Sequence, residues 1–282
     1  MSLDNPNKPV FSCEFFPPRT DAGMEKLIAT HQHLNDTIKP AFFSVTFGAG
    51  GTTRDRTMET VKQLRSDSNQ IIVPHISCMG SSKQQLSDLL DEYIELGINR
   101  LVTLRGDIPE DGTTDNELTH ANELVTFIRE KTGDHFHIEI AAYPEYHPES
   151  ASPDEDFKYF LNKANAGADS AITQYFYNVD AYTHFVEKCE QAQLNIPIVP
   201  GIMPITNYAN LVRFSDACGA EIPRWIRKQL IAYENDLDSL RAFGTDVVAQ
   251  LCHQLLEAGA PGLHFYTLNQ SDAILNIWNK LK

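Results

Sequence analysis

Positive charge is scarce in this chain. Its 282 residues carry 23 Lys and Arg against 38 Asp and Glu, a formal net charge of -15, and no basic cluster offsets it locally. That balance argues against nucleic acid or an anionic membrane as a partner. A cationic N-terminal region followed by a short apolar stretch is missing, and so is any apolar run long enough to cross a bilayer. A cytoplasmic protein is the expectation. The five cysteines, Cys13, Cys78, Cys189, Cys218 and Cys252, form no C-x-x-C pair, which suits reduced and mostly buried thiols rather than a disulfide framework. Neither G-x-G-x-x-G nor a Walker motif occurs. The run Gly48-Ala49-Gly50-Gly51 therefore points to close backbone approach to a ligand rather than to a phosphate loop.

Apolar residues make up 42% of the chain and aromatic ones 10%, enough for a large core. Short β-rich runs at 10–16, 41–47, 71–78, 100–105, 136–143, 170–177, 196–202 and 262–268 alternate with helical patterns at 21–35, 53–66, 82–96, 116–131, 153–166, 180–192 and 207–217. Most of the runs are continuously apolar, as in parallel strands covered on both faces. Gly97, Gly167 and Gly262 follow helical patterns, where left-handed C-caps are expected. Further helices at 223–234 and 239–258 fill the interval before the eighth strand, and 270–281 closes the pattern. Eight alternations without a composition break predict one α/β domain over 1–282, a (β/α)8 TIM barrel with extra helices between its seventh and eighth strands.

In such a barrel the site lies at the C-terminal ends of the strands. Those ends carry Glu14, Thr46, His75, Arg105-Gly106-Asp107, Tyr143 to His147, Gln174, Pro200-Gly201, and Tyr266 with Asn269. Glu14 stands in V-F-S-C-E-F-F-P-P-R among Phe11, Phe15 and Phe16, so burial should raise its pKa or give it a partner such as Arg105. His75 is open to a core role as well as a site role, and Arg105 and Asp107 to a rim salt bridge. Gln174 lies in a strongly apolar strand and needs hydrogen-bond partners that a ligand can supply. His135 and His137 fall at the start of the fifth strand, on the opposite face, so no metal is expected there.

The motifs F-S-C-E-F-F-P-P-R (11–19), F-F-S-V-T-F-G-A-G-G (42–51), P-H-I-S-C (74–78), L-R-G-D (104–107), A-A-Y-P-E-Y-H-P (141–148), A-G-A-D-S-A-I-T-Q-Y-F-Y (166–177), P-G-I-M-P (200–204) and H-F-Y-T-L-N (264–269) resemble, in order and end to end, the flavin-dependent methylenetetrahydrofolate reductases. The resemblance implies a barrel that holds FAD, takes reducing equivalents from NAD(P)H, with NADH expected from the short bacterial type, and converts methylenetetrahydrofolate to 5-methyltetrahydrofolate for methionine synthesis. A homodimer or homotetramer is implied too.

Carried over by motif, Glu14 is implied as general acid and Asp107 as the second catalytic group. Thr46, Phe47, Ala49, His75, Arg105, Gly106, Asp107, Ala121, Tyr143, His147 and Lys163 are implied as flavin contacts. Gln174, Asn210, Phe214, Tyr266 and Gln270, with Glu14 and Asp107, are implied around the substrate. Asn162, Asn210 and Gln270 depart from the family pattern, where arginine, glutamine and arginine are expected; Lys163 then carries more of the diphosphate charge. Two competing readings are a flavin-free pterin-binding barrel enzyme such as a methyltransferase, and a non-catalytic folate-binding protein.

Overall fold

The computed structural model describes residues 9–47, 51–107 and 117–282. In chain order the elements are β1 (Val10–Phe15), α1 (Asp21–Ile38), β2 (Phe42–Val45), α2 (Gly51–Asp67), β3 (Ile72–Ser77), α3 (Lys83–Glu95), β4 (Arg100–Leu104), α4 (Ala121–Thr132), β5 (His137–Ala142), α5 (Pro153–Asn165), β6 (Ser170–Thr173) and α6 (Val179–Gln191). Then follow β7 (Ile198–Val199), β8 (Gly201–Ile202), α7 (Tyr208–Cys218), α8 (Arg224–Ala232), α9 (Leu237–Glu257), β9 (Gly262–Tyr266) and α10 (Asp272–Leu281).

Every strand pairing is parallel, in the order β7-β6-β5-β4-β3-β2-β1-β9-β8. The segments β7 and β8 are two halves of the predicted seventh strand. Pro200 separates them because it has no N–H to give the ladder, while its carbonyl still accepts from His264 N at 3.0 Å. One half pairs with β6 and the other with β9, so the sheet closes into the expected (β/α)8 barrel.

Strand alternation sorts the side chains into two shells. Cys13 and Phe15 of β1, Phe43 and Val45 of β2, and Phe265 of β9 point outward into the cluster shared with the helices. Each fully buried ring there contributes about 1.5–3 kcal/mol by leaving water. A smaller cluster of Phe42, Val73, Val102 and Ile172 plugs the barrel interior. Glu14 shares the inward parity with Ser12, so it does not lie among Phe11, Phe15 and Phe16 as the linear sequence suggests.

Local signals explain most helix starts. Thr20 caps α1 by accepting from Gly23 N at 3.1 Å, Ser82 and Gln85 make a capping box on α3, and Ser152 caps α5 ahead of Pro153. Helix α1 runs past the expected 35 to Ile38 and stops at left-handed Lys39. Strand β6 ends at Thr173 rather than 177. The glycine that follows α9 in the left-handed region is Gly259. Gly262 instead opens β9, where a Cβ would collide with the Val10 backbone.

Candidate active site

Two cavities of about 420 and 500 Å³ open at the C-terminal ends of the strands. They are continuous, sharing Phe47, Leu104, Arg105, Asp107, Tyr143 and His147 among their walls. The structure gathers most of the expected residues here. Glu14, Thr46, His75, Gln174, Phe214 and Tyr266 line the larger cavity, and Gly106, Ala121 and Lys163 the other. Asn210 and Gln270 are exposed and line neither cavity, as is Asn162. Ala49 lies outside the described residues.

Glu14 is the second-last residue of β1 and its side chain is 17% exposed. Its Oε2 lies 3.3 Å from His75 Nε2 and 3.4 Å from His264 Nε2. The His264 contact is a hydrogen bond. The His75 contact is within ion-pair range but out of line for one, and neither His75 ring nitrogen has another partner. Ser12 Oγ meets His264 Nδ1 at 2.7 Å and fixes that buried ring. The Glu14 backbone is held as well, with its carbonyl accepting from Thr267 Oγ1 at 2.6 Å.

This geometry corrects the expected raised pKa of Glu14. Burial does push the carboxyl up, but His75 and His264 together outweigh it and hold it at about 2. The sequence reading missed His264. Its signal was parity: β1 and β9 pair Ser12 with His264 and Glu14 with Tyr266, so all four face the interior.

Arg105 is not the partner of Glu14 or Asp107. Its Nη1 reaches Glu149 Oε2 at 2.7 Å, and Glu149 is a second residue the sequence reading overlooked. Asp107 lines both cavities and is exposed. Gln174 Oε1 accepts from Tyr175 N at 3.0 Å, so the amide N–H groups are its free recognition edge. Tyr266 donates to Thr173 O at 2.7 Å, and burial, then Glu14, raises its hydroxyl pKa well above the usual range.

In the other cavity Lys163 donates to Ala141 O at 2.7 Å, and burial pulls its ammonium down to about 8 despite nearby Asp156. Asp156 itself accepts from Ser150 Oγ at 2.8 Å. Thr103 Oγ1 is buried without a partner on the same wall. Ala121, the first residue of α4, brings a helix N-terminus to the cavity. The half-buried cation, the orphaned hydroxyl and the helix end together suit an elongated ligand with an anionic middle. His135 and His137 bond elsewhere, to Ile98 O at 3.0 Å and Ser170 Oγ at 2.8 Å. No group of metal-holding side chains occurs among the described residues, and no described helix is long and apolar enough to cross a membrane.

Comparison with known proteins identifies relatives. The family model for methylenetetrahydrofolate reductase matches residues 2–282. The 5,10-methylenetetrahydrofolate reductase of Buchnera aphidicola subsp. Schizaphis graminum is 37% identical over 276 residues, covering 98% of this chain and 93% of that protein. The Escherichia coli K12 protein of the same name is 34% identical over 261 residues, covering 93% and 86%. Among solved structures, an uncharacterized Clostridium thermocellum protein that binds two copies of 5-methyl-5,6,7,8-tetrahydrofolic acid aligns with TM-score 0.66 at 16% identity, covering 99% of this chain and 96% of that one. The last likeness is one of fold.

Proposed function

The chain belongs to the methylenetetrahydrofolate reductase family, whose members reduce methylenetetrahydrofolate to methyltetrahydrofolate, and from that premise we propose an FAD-dependent, ping-pong reductase that uses NADH and supplies methionine synthesis. The observation that carries the reading is the Glu14, His75 and His264 cluster at the inner wall of the cavity that also presents Gln174, Asp107 and Tyr266. A site that only bound a pterin would not need a carboxylate held between two imidazoles. The same cluster weighs against the non-catalytic reading, and the second cavity weighs against the flavin-free one.

FAD, when bound, would supply the hydride-transfer chemistry between NADH and the folate. Lys163, Thr103 and the N-terminus of α4 suit its diphosphate, with His147, Tyr143 and Arg105 beside them. Phe47 lies on the wall common to both cavities and Thr46 and His75 on the inner one, which suits them to the ring system. Phe214 reaches the inner cavity from α7 and offers an aromatic face to whichever substrate is present. Gln174 donates to the pterin edge, and Asp107 accepts from the pterin's amino and ring N–H groups.

Opening the five-membered ring of methylenetetrahydrofolate requires a proton on N10. Glu14 is the acid on this wall, and because the imidazoles hold its carboxyl at about 2 in the open site, it must take up a proton as substrate binds. Substrate packed over Glu14 removes the water that still reaches it, which disfavours the charged form. After giving its proton to N10 the carboxylate is steadied by His264, which Ser12 fixes, and solvent restores the proton once product leaves and water again reaches Glu14.

The test is anaerobic stopped-flow absorbance of the FAD-loaded protein. Bleaching of the flavin by NADH and its recovery on adding methylenetetrahydrofolate support both half-reactions. Bleaching without recovery rejects the folate step, and failure to bind FAD rejects the flavoprotein reading.

A further inference from the structure

Resting on the folate reading above, we propose that Arg213 of α7 holds the glutamate carboxylates at the far end of the folate, so that the site recognises the tail as well as the pterin. A folate carries its negative charge in that tail, and every glutamate adds a carboxylate. The cavity that takes the pterin is a poor place for such charge. Its walls hold the acids Glu14, Asp107 and Glu149 against one permanent cation, Arg105, which is already paired to Glu149 at 2.7 Å. Asn210 and Gln270 lie outside the walls, exposed and uncharged. The tail therefore needs a cation beyond them.

Arg213 is the one basic residue of α7. Phe214, Ala217 and Cys218 present one face of this helix to the larger cavity. At about 100° per residue Arg213 stands about 40° from Ala217, at the border of that face. It is exposed and is not itself a wall residue, so its charge lies at the outer edge of the cavity. The guanidinium carbon sits 5.0 Å from the centroid of the Phe214 ring. Such a contact at an exposed ring is weak, so it orients the group without competing with a carboxylate. Among the described residues Arg213 takes part in no ion pair, not even with Asp216 three positions on.

Arginine suits this task. Its planar fork takes a carboxylate through two parallel N–H···O bonds, and it sheds water more readily than an ammonium does. Adjacent positions of one helix then serve the two parts of one ligand: Phe214 offers its ring to the aromatic portion and Arg213 its charge to the tail. In a chain of net charge -15, an unpaired cation beside the cavity also draws an anionic substrate to this edge rather than to another. NADH, which occupies the same cavity in turn, has no glutamate tail and should not depend on Arg213.

The test is calorimetric titration of the FAD-loaded protein with 5-methyltetrahydrofolate, with its triglutamate, and with 5,6-dimethyltetrahydropterin, which keeps the ring system and lacks the tail. Arg213→Gln should weaken the monoglutamate about fivefold, the upper range for one exposed ion pair, and the triglutamate at least as much, with the bare pterin unchanged. Arg213→Lys keeps the charge and should recover part of the loss, and added salt should narrow the gap between wild type and Arg213→Gln. Flavin oxidation at saturating methylenetetrahydrofolate and flavin reduction by NADH should keep their rates, and unchanged thermal midpoints establish that the variants fold. Equal losses for folate and bare pterin would show that Arg213 acts by holding Phe214, and equal losses for NADH that it attracts any anion. Unchanged folate affinity would place the tail elsewhere, and each of these results overturns the assignment. A wild type that binds neither folate nor pterin would reject the folate reading itself, and the assignment with it.

Discussion

Glu14 and His75 face each other across the barrel interior, Oε2 to Nε2 at 3.3 Å, from strands that are two apart in the sheet. The contact is possible because β2, which lies between them, places the small Ser44 beside Glu14 in register. A larger residue at Ser44 would stand in the gap. His264 approaches the same carboxylate oxygen from β9 at 3.4 Å, so three strands converge on one carboxylate.

Replacing Glu14 by Gln removes the proton without removing the bulk. Flavin reduction by NADH should stay within a few fold of wild type, while oxidation by methylenetetrahydrofolate falls by about 10²–10⁴-fold, the usual worth of a positioned acid. Single-turnover measurement of each half-reaction separates the two. Equal losses in both would reject the acid role.

The same carboxylate should leave a mark on stability against pH. Its pKa drops from 4.5 when unfolded to about 2 when folded, so its contribution is complete above pH 4.5 and is lost as pH falls through 2. At 1.36 kcal/mol per unit the shift corresponds to roughly 3 kcal/mol. Denaturant midpoints of the cofactor-free protein above and below pH 4.5 should therefore converge with those of Glu14→Gln as the pH drops. Parallel curves would show that the imidazoles do not hold the charge.

The barrel and its rim were legible because the signals involved are local. Apolar runs, helical spacing and caps such as Ser82 with Gln85 are read within a few residues, and strand ends then locate Glu14, His75 and Gln174 on one rim. What was not legible depends on closure. The pairing of Ser12 with His264 spans 252 positions, and Arg105 finds Glu149 rather than a nearer acid because the loop after β5 folds over the cavity. The expected pKa of Glu14 failed for the same reason. Burial was readable from its neighbours in sequence, but the two imidazoles that outweigh burial arrive from β3 and β9.

Lys163 offers a test of the second cavity. Burial has pulled its pKa down to about 8. Below that pH the ammonium is charged and attracts an anionic diphosphate; above it the charge is lost. FAD affinity, followed by quenching of flavin fluorescence, should weaken as pH rises through 8, and Lys163→Met should weaken binding and flatten that dependence. A variant that retains the full pH dependence would move the diphosphate away from Lys163.

Gly201 tests how tightly the inner wall is built. A Cβ at this position would press into the Thr173 carbonyl and come within 2.6 Å of the Tyr266 ring and 2.7 Å of its hydroxyl. The Thr173 carbonyl is backbone in β6 and cannot retreat without disturbing the sheet, and Tyr266 is tied to it by a 2.7 Å hydrogen bond. Gly201→Ala should therefore cost about 1–3 kcal/mol from overpacking. Because Tyr266 lines the larger cavity and not the other, displacing its ring should cost folate binding more than FAD binding. Thermal midpoints and separate titrations with each ligand check both parts, and an Ala variant as stable as wild type with unchanged folate affinity would show that the wall yields where the structure says it is rigid.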